Sequence, residues 1–437
     1  MYFYIIAAGM FWILAASALC APKRAIYLHT AAFLLFVAIA GLRYQTGYDW
    51  LVYENYIHGV NDPSLCYMGP PMEPLFWLLS ALAGITPDAT QTLFFLTACF
   101  NGIALYLFCR RFAAPFAFVA AIYFCWIYLP LQMAMVRQSI AISFVMLALI
   151  ALRGAQAKKA AAWTVAALGF QVSAVLFLPL LWQRPWHWVW KHLNIILALL
   201  LVFAACVPSP SKLLLNYIAQ ADLFYISDKL TSYLSPASFV SRSASQIGYL
   251  IFNAGFLWMA RNKMRLEEDD RFLLYPLILM IVPEAICHDF VYIWGRVQTL
   301  AVPCQAVFVC RMFMRTNLTI QKKAVILGIC FSLSGAALLY RIHRPFMEPY
   351  FPYYNVIQAH YDYTLSDIGK TRMDATYKSM IEHYATIEKN ANYHPKLSSV
   401  LKTSELQPKG VSGPNCTVKT PYSIWKQWYG AIASRSS

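Results

Sequence analysis

Residues 133–153 read MAMVRQSIAISFVMLALIALR. A membrane-crossing helix needs about 20 mostly apolar residues, and this stretch supplies them. Arg137 and Gln138 sit about one turn inside its first end. In water, such a helix would have nothing to bury against. In a bilayer, the arginine must face a partner or a cavity, because a charge within a span costs a few kcal/mol.

The rest of the chain reads the same way. Of 437 residues, 59% are hydrophobic and 13% are charged, where a soluble domain carries about 25% charged residues. The net charge of +15 does not point to nucleic acid. The basic residues fall in short clusters between apolar runs, at Lys23–Arg24, Arg110–Arg111, Lys158–Lys159 and Lys322–Lys323, which is how cytoplasmic loops are marked. Most of the eleven cysteines lie in or beside apolar runs and behave as small hydrophobes. Cys66 and Cys416 lie in polar stretches; unpaired thiols are expected, with a disulfide between the two as the alternative. No CxxC spacing suggests zinc. The first run, MYFYIIAAGM, has no basic residue before it and reads as a retained span rather than a signal peptide.

Candidate spans are 2–20, 26–42, 90–109, 113–130, 133–152, 192–207, 246–260, 272–287, 292–311 and 323–340. Segment 73–85 is short for a crossing, and 160–182 is interrupted by Gly169 and Gln171 and followed by Pro179. If neither crosses, every basic cluster falls on the cytoplasmic side. The expected fold is therefore an all-α polytopic membrane protein of about ten spans with two re-entrant or interfacial hairpins. A membrane-embedded domain would cover 1–357, followed by a polar, partly helical tail at 358–437. Tyr and Trp enrich at membrane interfaces, and 182–192 (WQRPWHWVWKH) reads as an interfacial loop.

This threading gathers polar residues on the outward side. The loop LRYQTGYDWLVYENY gives Arg43, Gly47, Asp49 and Tyr53, and Glu73 opens the short hairpin. Arg137 and Gln138 follow, then Gln171 near the second hairpin's tip. PEAICHDFVYIWGR supplies Glu284, His288, Asp289 and Arg296, and Arg341 and Tyr353 come after the last span. Arginines among carboxylates suit an anionic, lipid-linked substrate: the guanidinium fork matches phosphate oxygens and stays charged when desolvated. A carboxylate alongside can take a proton from an attacking hydroxyl. No GxSxG, Cys/His/Asn, HExxH or DxD pattern appears, so neither a covalent nucleophile nor a metal site is expected.

These landmarks, in this order, resemble the EpsG family of Wzy-like polysaccharide polymerases. The matching pieces are Arg43 with Gly47-Tyr48-Asp49 and Tyr53, Glu73, Arg137-Gln138, Gly169-Phe170-Gln171-Val172-Ser173-Ala174, Arg296, and Pro352-Tyr353. The family usually has His where this chain has Gln171, and an amide hydrogen-bonds but does not titrate. The resemblance implies a polymerase of polyprenyl-diphosphate-linked oligosaccharides, with the architecture of a C-type glycosyltransferase. It would act at the outer face of a bacterial inner membrane, without a cofactor. Asp49, Glu73, Arg137 and Arg296 would be the catalytic residues. Arg43, Tyr53, Gln138, Gln171, Glu284, His288, Asp289, Arg341 and Tyr353 would bind substrate. Membrane lipid and a chain-length regulator or export protein are the expected partners. A transporter or flippase of lipid-linked sugars would also need arginines for a diphosphate, but it should show repeat symmetry and polar groups at mid-membrane. A glycan ligase or a polyprenyl-phosphate-dependent glycosyltransferase would keep the same site.

Overall fold

The computed structural model describes residues 1–61, 72–207, 244–286, 291–315 and 319–361, together with Thr371. His288, Asp289, Cys66 and Cys416 lie outside the described residues, as does nearly all of the tail. The described chain is helical, with a single isolated bridge between Arg43 and Asn355.

Helices α1 (Tyr2–Cys20) and α2 (Ala25–Gly41) lead to the polar loop that holds Arg43 and Asp49. Two shorter helices follow, α3 (Trp50–Asn61) and α4 (Pro74–Ala83). Pro74 opens α4 where a missing N–H costs nothing. Helix α5 (Ala89–Arg111) is capped by Asp88, whose carboxylate accepts from the Gln91 N–H at 2.9 Å. Helix α6 (Phe116–Tyr123) widens into a π-helix over Phe124–Ala134. The N–H of Met135 reaches back to the Pro130 carbonyl, and α7 (Val136–Arg153) starts immediately. Then come α8 (Ala157–Phe170), a 3-10 segment (Val172–Leu181), α9 (Gln183–Lys191) and α10 (Leu193–Cys206). After these come α11 (Ala244–Lys263), α12 (Glu268–Ile286), α13 (Val291–Arg315), α14 (Ile320–Ile342), and the short Pro345–Tyr350 and Val356–Tyr361 turns.

Each of the ten apolar runs expected to cross is helical. Among the described residues, five stretches are both long and apolar enough to do so: Tyr2–Cys20, Ala89–Arg111, Phe116–Ala134, Val136–Arg153 and Gln321–Ile342. The pair α9–α10, bent by 80°, makes a sixth if read as one span. Residues 183–191, expected as a loop, are therefore a helix laid across the next one. Helices α12 and α13 are long, but buried Asp270, Glu284 and Arg311 lower their apolar content. The chain is a multi-pass membrane protein.

Of those five stretches, the α6–π stretch is the most enclosed, 83% buried, and α14 is the most peripheral at 17%. Lipid tails are as apolar as side chains, so helices in a bilayer associate through close packing and shared polar groups. Ala117, Ala120 and Ala121 are fully buried and let neighbours approach α6. Deeper, Asn101 Nδ2 donates to Gln132 Oε1 and to Ser139 Oγ, each at 2.8 Å. Ser143 Oγ donates to Asn101 Oδ1 at 2.7 Å, and Gln132 Nε2 to the Tyr123 hydroxyl at 2.7 Å. This ties α5, the π-helix and α7 together with its polar groups paired.

Ion pairs lock one end of the bundle. Arg153 pairs with Glu268 (3.0 Å) and Asp269, and Arg111 reaches Asp269 at 3.8 Å. Arg311 Nε lies 2.9 Å from the fully buried Asp270, which Arg315 also grips. The ends of α5, α7 and α13 thus meet the start of α12. Arg261 donates to the carbonyls of Trp190 and Lys191, and Asn194 and Asn262 exchange hydrogen bonds at 3.1 Å, so residues 190–194 lie at this end too.

That geometry fixes the path of α8. It leaves the ion-paired end beside α7, and by Val172–Ser173 it has reached the first turn of α7, where Ser173 Oγ donates to Gln138 Oε1 at 2.8 Å. The 3-10 segment then returns the chain to residues 183–191. Helix α4 also fails to run end to end. It starts at Glu73, and α5 begins again level with the end of α2, where Gln91 Nε2 donates to the Gly41 carbonyl.

Candidate functional site

At the end opposite the ion pairs, four separate stretches converge on Arg137. Its Nη1 lies 2.6 Å from Glu73 Oε2. The other carboxylate oxygen, Oε1, accepts the Val172 N–H at 3.3 Å. Glu73 is 3% exposed and has both oxygens engaged. Gly169 gives the Leu75 side chain its room: a Cβ there would stand 2.6 Å from Leu75 Cδ1, so a larger residue would force that side chain to shift. The Tyr53 ring packs against Phe76 with centroids 5.6 Å apart, and its hydroxyl faces Arg137.

Gln138, the next residue, is a hub. Its Nε2 donates to the Arg296 carbonyl at 3.2 Å and to Thr299 Oγ1 at 3.1 Å. Its Oε1 accepts from Ser173. The amide thus fixes Arg296 on α13 and the tip of the α8 hairpin against α7. Gln171, buried at that tip, breaks the helix with an extended backbone (φ −156°, ψ 118°).

Asp49 differs from Glu73. It is half-buried, and among the described residues its carboxylate has no hydrogen-bond partner. Desolvation pushes its pKa up to about 6, against the pull of Arg137, Arg296 and Arg43. The loop carrying it is held from both sides. Gly47 has φ +113°, and a Cβ there would fall 2.2 Å from the Met133 carbonyl oxygen. The Gly47 N–H donates to Pro349 O, Tyr44 N–H to Tyr354 O, and Val356 N–H to Leu42 O.

Arg43 is turned inward. It is 1% exposed, donates from Nη1 to the Gln132 carbonyl at 2.6 Å, and stacks 4.0 Å from the Phe94 ring centre. Gln132 lies in the last turn of the π-helix, where carbonyls lack a partner of their own. Tyr353 is similarly occupied, donating to Ile39 O at 3.0 Å and stacking on Phe3.

Glu284 and Arg341 belong to a neighbouring cluster. Asn253 Nδ2 lies 3.5 Å from Glu284 Oε2, and Gln305 Nε2 donates to Asn253 Oδ1 at 3.1 Å. Arg341 Nη2 donates to the Trp126 carbonyl at 2.8 Å. In the α pattern that carbonyl would pair with residue 130, and Pro130 has no N–H to offer. The buried Tyr350 joins the clusters, within electrostatic reach of both Asp49 and Arg341.

Sequence reading placed Ser173 in a motif without its bond to Gln138, and missed Thr299, Tyr350 and the Asn101–Gln132 network. Pro130 inside an apolar run was the one local sign that the helix there is irregular.

Neither a curated protein nor a solved structure matches the chain. A family model does, over residues 26–355, from the start of α2 to the strap that closes over the Asp49 loop. The chain belongs to the EpsG family, a family of polysaccharide polymerase-like membrane proteins.

Proposed function

We propose that this protein polymerises polyprenyl-diphosphate-linked oligosaccharide repeat units at the outer face of a bacterial inner membrane. The observation that carries the reading is Asp49, a half-buried carboxylate with no hydrogen-bond partner among the described residues and within electrostatic reach of Arg137, Arg296 and Arg43. The donor is the growing glycan on its lipid diphosphate. The acceptor is a sugar hydroxyl of a new lipid-linked unit.

In the proposed step, the acceptor oxygen attacks the anomeric carbon of the donor and gives its proton to Asp49. The bond from that carbon to the diphosphate oxygen breaks, and polyprenyl diphosphate leaves with the bonding pair. Arg137 and Arg296 stabilise the charge that builds on it. Glu73, with both oxygens occupied, holds Arg137 in place. Asp49 is thus the better base of the two carboxylates. Arg43 adds positive potential from inside and fastens the Asp49 loop to the π-helix.

The membrane reading follows the same lines. Ten spans carry the chain, while α4 and the α8 hairpin enter from opposite faces and return. The ion-paired end, rich in Lys and Arg, faces the cytoplasm, which leaves the arginine site outside. Such an arrangement is C-type-like.

The test is a deletion strain complemented with wild type, Asp49→Asn, Arg137→Ala or Arg296→Ala, with its surface glycan resolved on a gel. Deletion and each variant are expected to lose long chains and keep single repeat units, with the protein still inserted. Loss of the single units as well, or wild-type chain lengths in all three variants, would overturn the assignment.

A further inference from the structure

A lateral groove of about 110 Å³, partly open on one side, runs beside the site at mid-depth between the π-helix, α11, α13 and α14. Its walls are apolar (Phe252, Phe256, Val309, Leu333) except for Gln305 and Ser334. Leu333 is 49% and Phe252 48% exposed, so the groove opens toward the surrounding lipid. At its site end the walls become polar. Trp126 donates from Nε1 to Ser334 Oγ at 3.3 Å, and its carbonyl takes the bond from Arg341. Tyr249, also on the wall, lies within electrostatic reach of Arg341 and Glu284. Arg341 in turn is within reach of Tyr350, and Tyr350 of Asp49.

We infer that this groove holds the polyprenyl chain of the acceptor, with the acceptor's diphosphate at Arg341. The inference rests on the polymerase reading and adds to it a second lipid site. An apolar trough open to the bilayer that ends at a cation matches a lipid with a long tail and an anionic head. Arg137 and Arg296 are committed to the leaving diphosphate of the donor. A second diphosphate needs its own cation, and Arg341, bonded to the carbonyl of Trp126 on the groove's wall, lies within electrostatic reach of Tyr350, which in turn reaches Asp49. The acceptor hydroxyl would then reach Asp49 past Tyr350.

The test uses the full-length protein in phospholipid nanodiscs. A sugar-free polyprenyl diphosphate with a diazirine in its chain should crosslink to α11, α13 and α14, and Leu333→Trp and Ala306→Phe should abolish those crosslinks. Both variants should raise KM about tenfold for an acceptor on a long polyprenyl chain, the worth of roughly two methylene groups left unburied. An acceptor on a short prenyl chain should be used as well as by wild type, which shows that the variants are folded. Absence of crosslinks on α11, α13 and α14, crosslinks there that survive both substitutions, displacement of the probe by bulk phospholipid, or an unchanged KM for the long acceptor would overturn the groove. Those results leave wild-type chain growth intact. Absence of chain growth in the wild type would instead sink the polymerase reading, and the crosslinks would still decide whether the groove takes a polyprenyl chain.

Discussion

If Asp49 is the base, activity must follow its ionisation. With a pKa near 6, about one carboxyl in eleven is ionised at pH 5 and about ten in eleven at pH 7. A base works only when deprotonated, so kcat/KM should fall about tenfold between pH 7 and pH 5, with unit slope on the acid limb. An aspartate at its ordinary 3.8 would lose less than about a tenth over the same range. The assay is chain extension by purified protein in nanodiscs, with initial rates taken at low substrate so that the free protein is titrated. Asp49→Asn should remove both the activity and the inflection. A profile flat from pH 5 to 7, or an inflection that persists in the Asn variant's residual activity, would refute the assignment of the proton to Asp49.

The raised pKa also affects stability. A carboxyl that binds its proton more tightly when folded stabilises the fold below about pH 4, and that advantage is lost as pH rises toward 6. At pH 7, Asp49→Asn should therefore raise the melting temperature in detergent while activity disappears; a lower melting temperature would argue against a strained carboxylate. Glu73→Ala leaves Arg137 without its carboxylate and should cost about 3 kcal/mol, read as a fall in thermal stability together with kcat; an unchanged melting temperature would mean that the pair is not formed. Gly47→Ala puts a methyl group 2.2 Å from a backbone oxygen and should sharply lower the yield of folded protein, whereas a full yield would show that the turn is looser than described. A cysteine replacing Arg265 should react with a membrane-impermeant maleimide only after the cytoplasmic face is opened, and labelling of intact cells would reverse the topology.

What the sequence made legible was whatever depends on solvent. Apolar runs long enough for a bilayer became helices, and the unexplained cost of Arg137 correctly marked a place where partners had to gather. Which partner it takes was not legible, because Glu73 lies 64 residues away and meets it only once α4 and α7 are packed in the fold. Arg43 shows the limit more clearly. Beside Asp49 in sequence it looks like a substrate residue, yet its guanidinium points to a carbonyl at the end of a π-helix, a partner that exists only once the backbone departs from α geometry. The ion-paired end was read for the sign of its charges, as topology requires. The Glu-Glu-Asp-Asp run at 267–270 facing four arginines became visible only when the helix ends were brought together.

The strap that seats the Asp49 loop also sets an order of events. Tyr4 bonds to the Tyr350 carbonyl 346 residues later, and the Arg43 loop pairs with residues 354–356. At the pace of translation, these partners leave the ribosome on the order of tens of seconds apart. Throughout that interval the loop is in the membrane but unfastened, with its carboxylate not yet held against the arginines. A chain that stops before residue 345 would carry every arginine and carboxylate of the site and would still lack the clasp that aligns Asp49. On the proposed reading, chain growth would therefore begin only when the last helix and the strap behind it are in place.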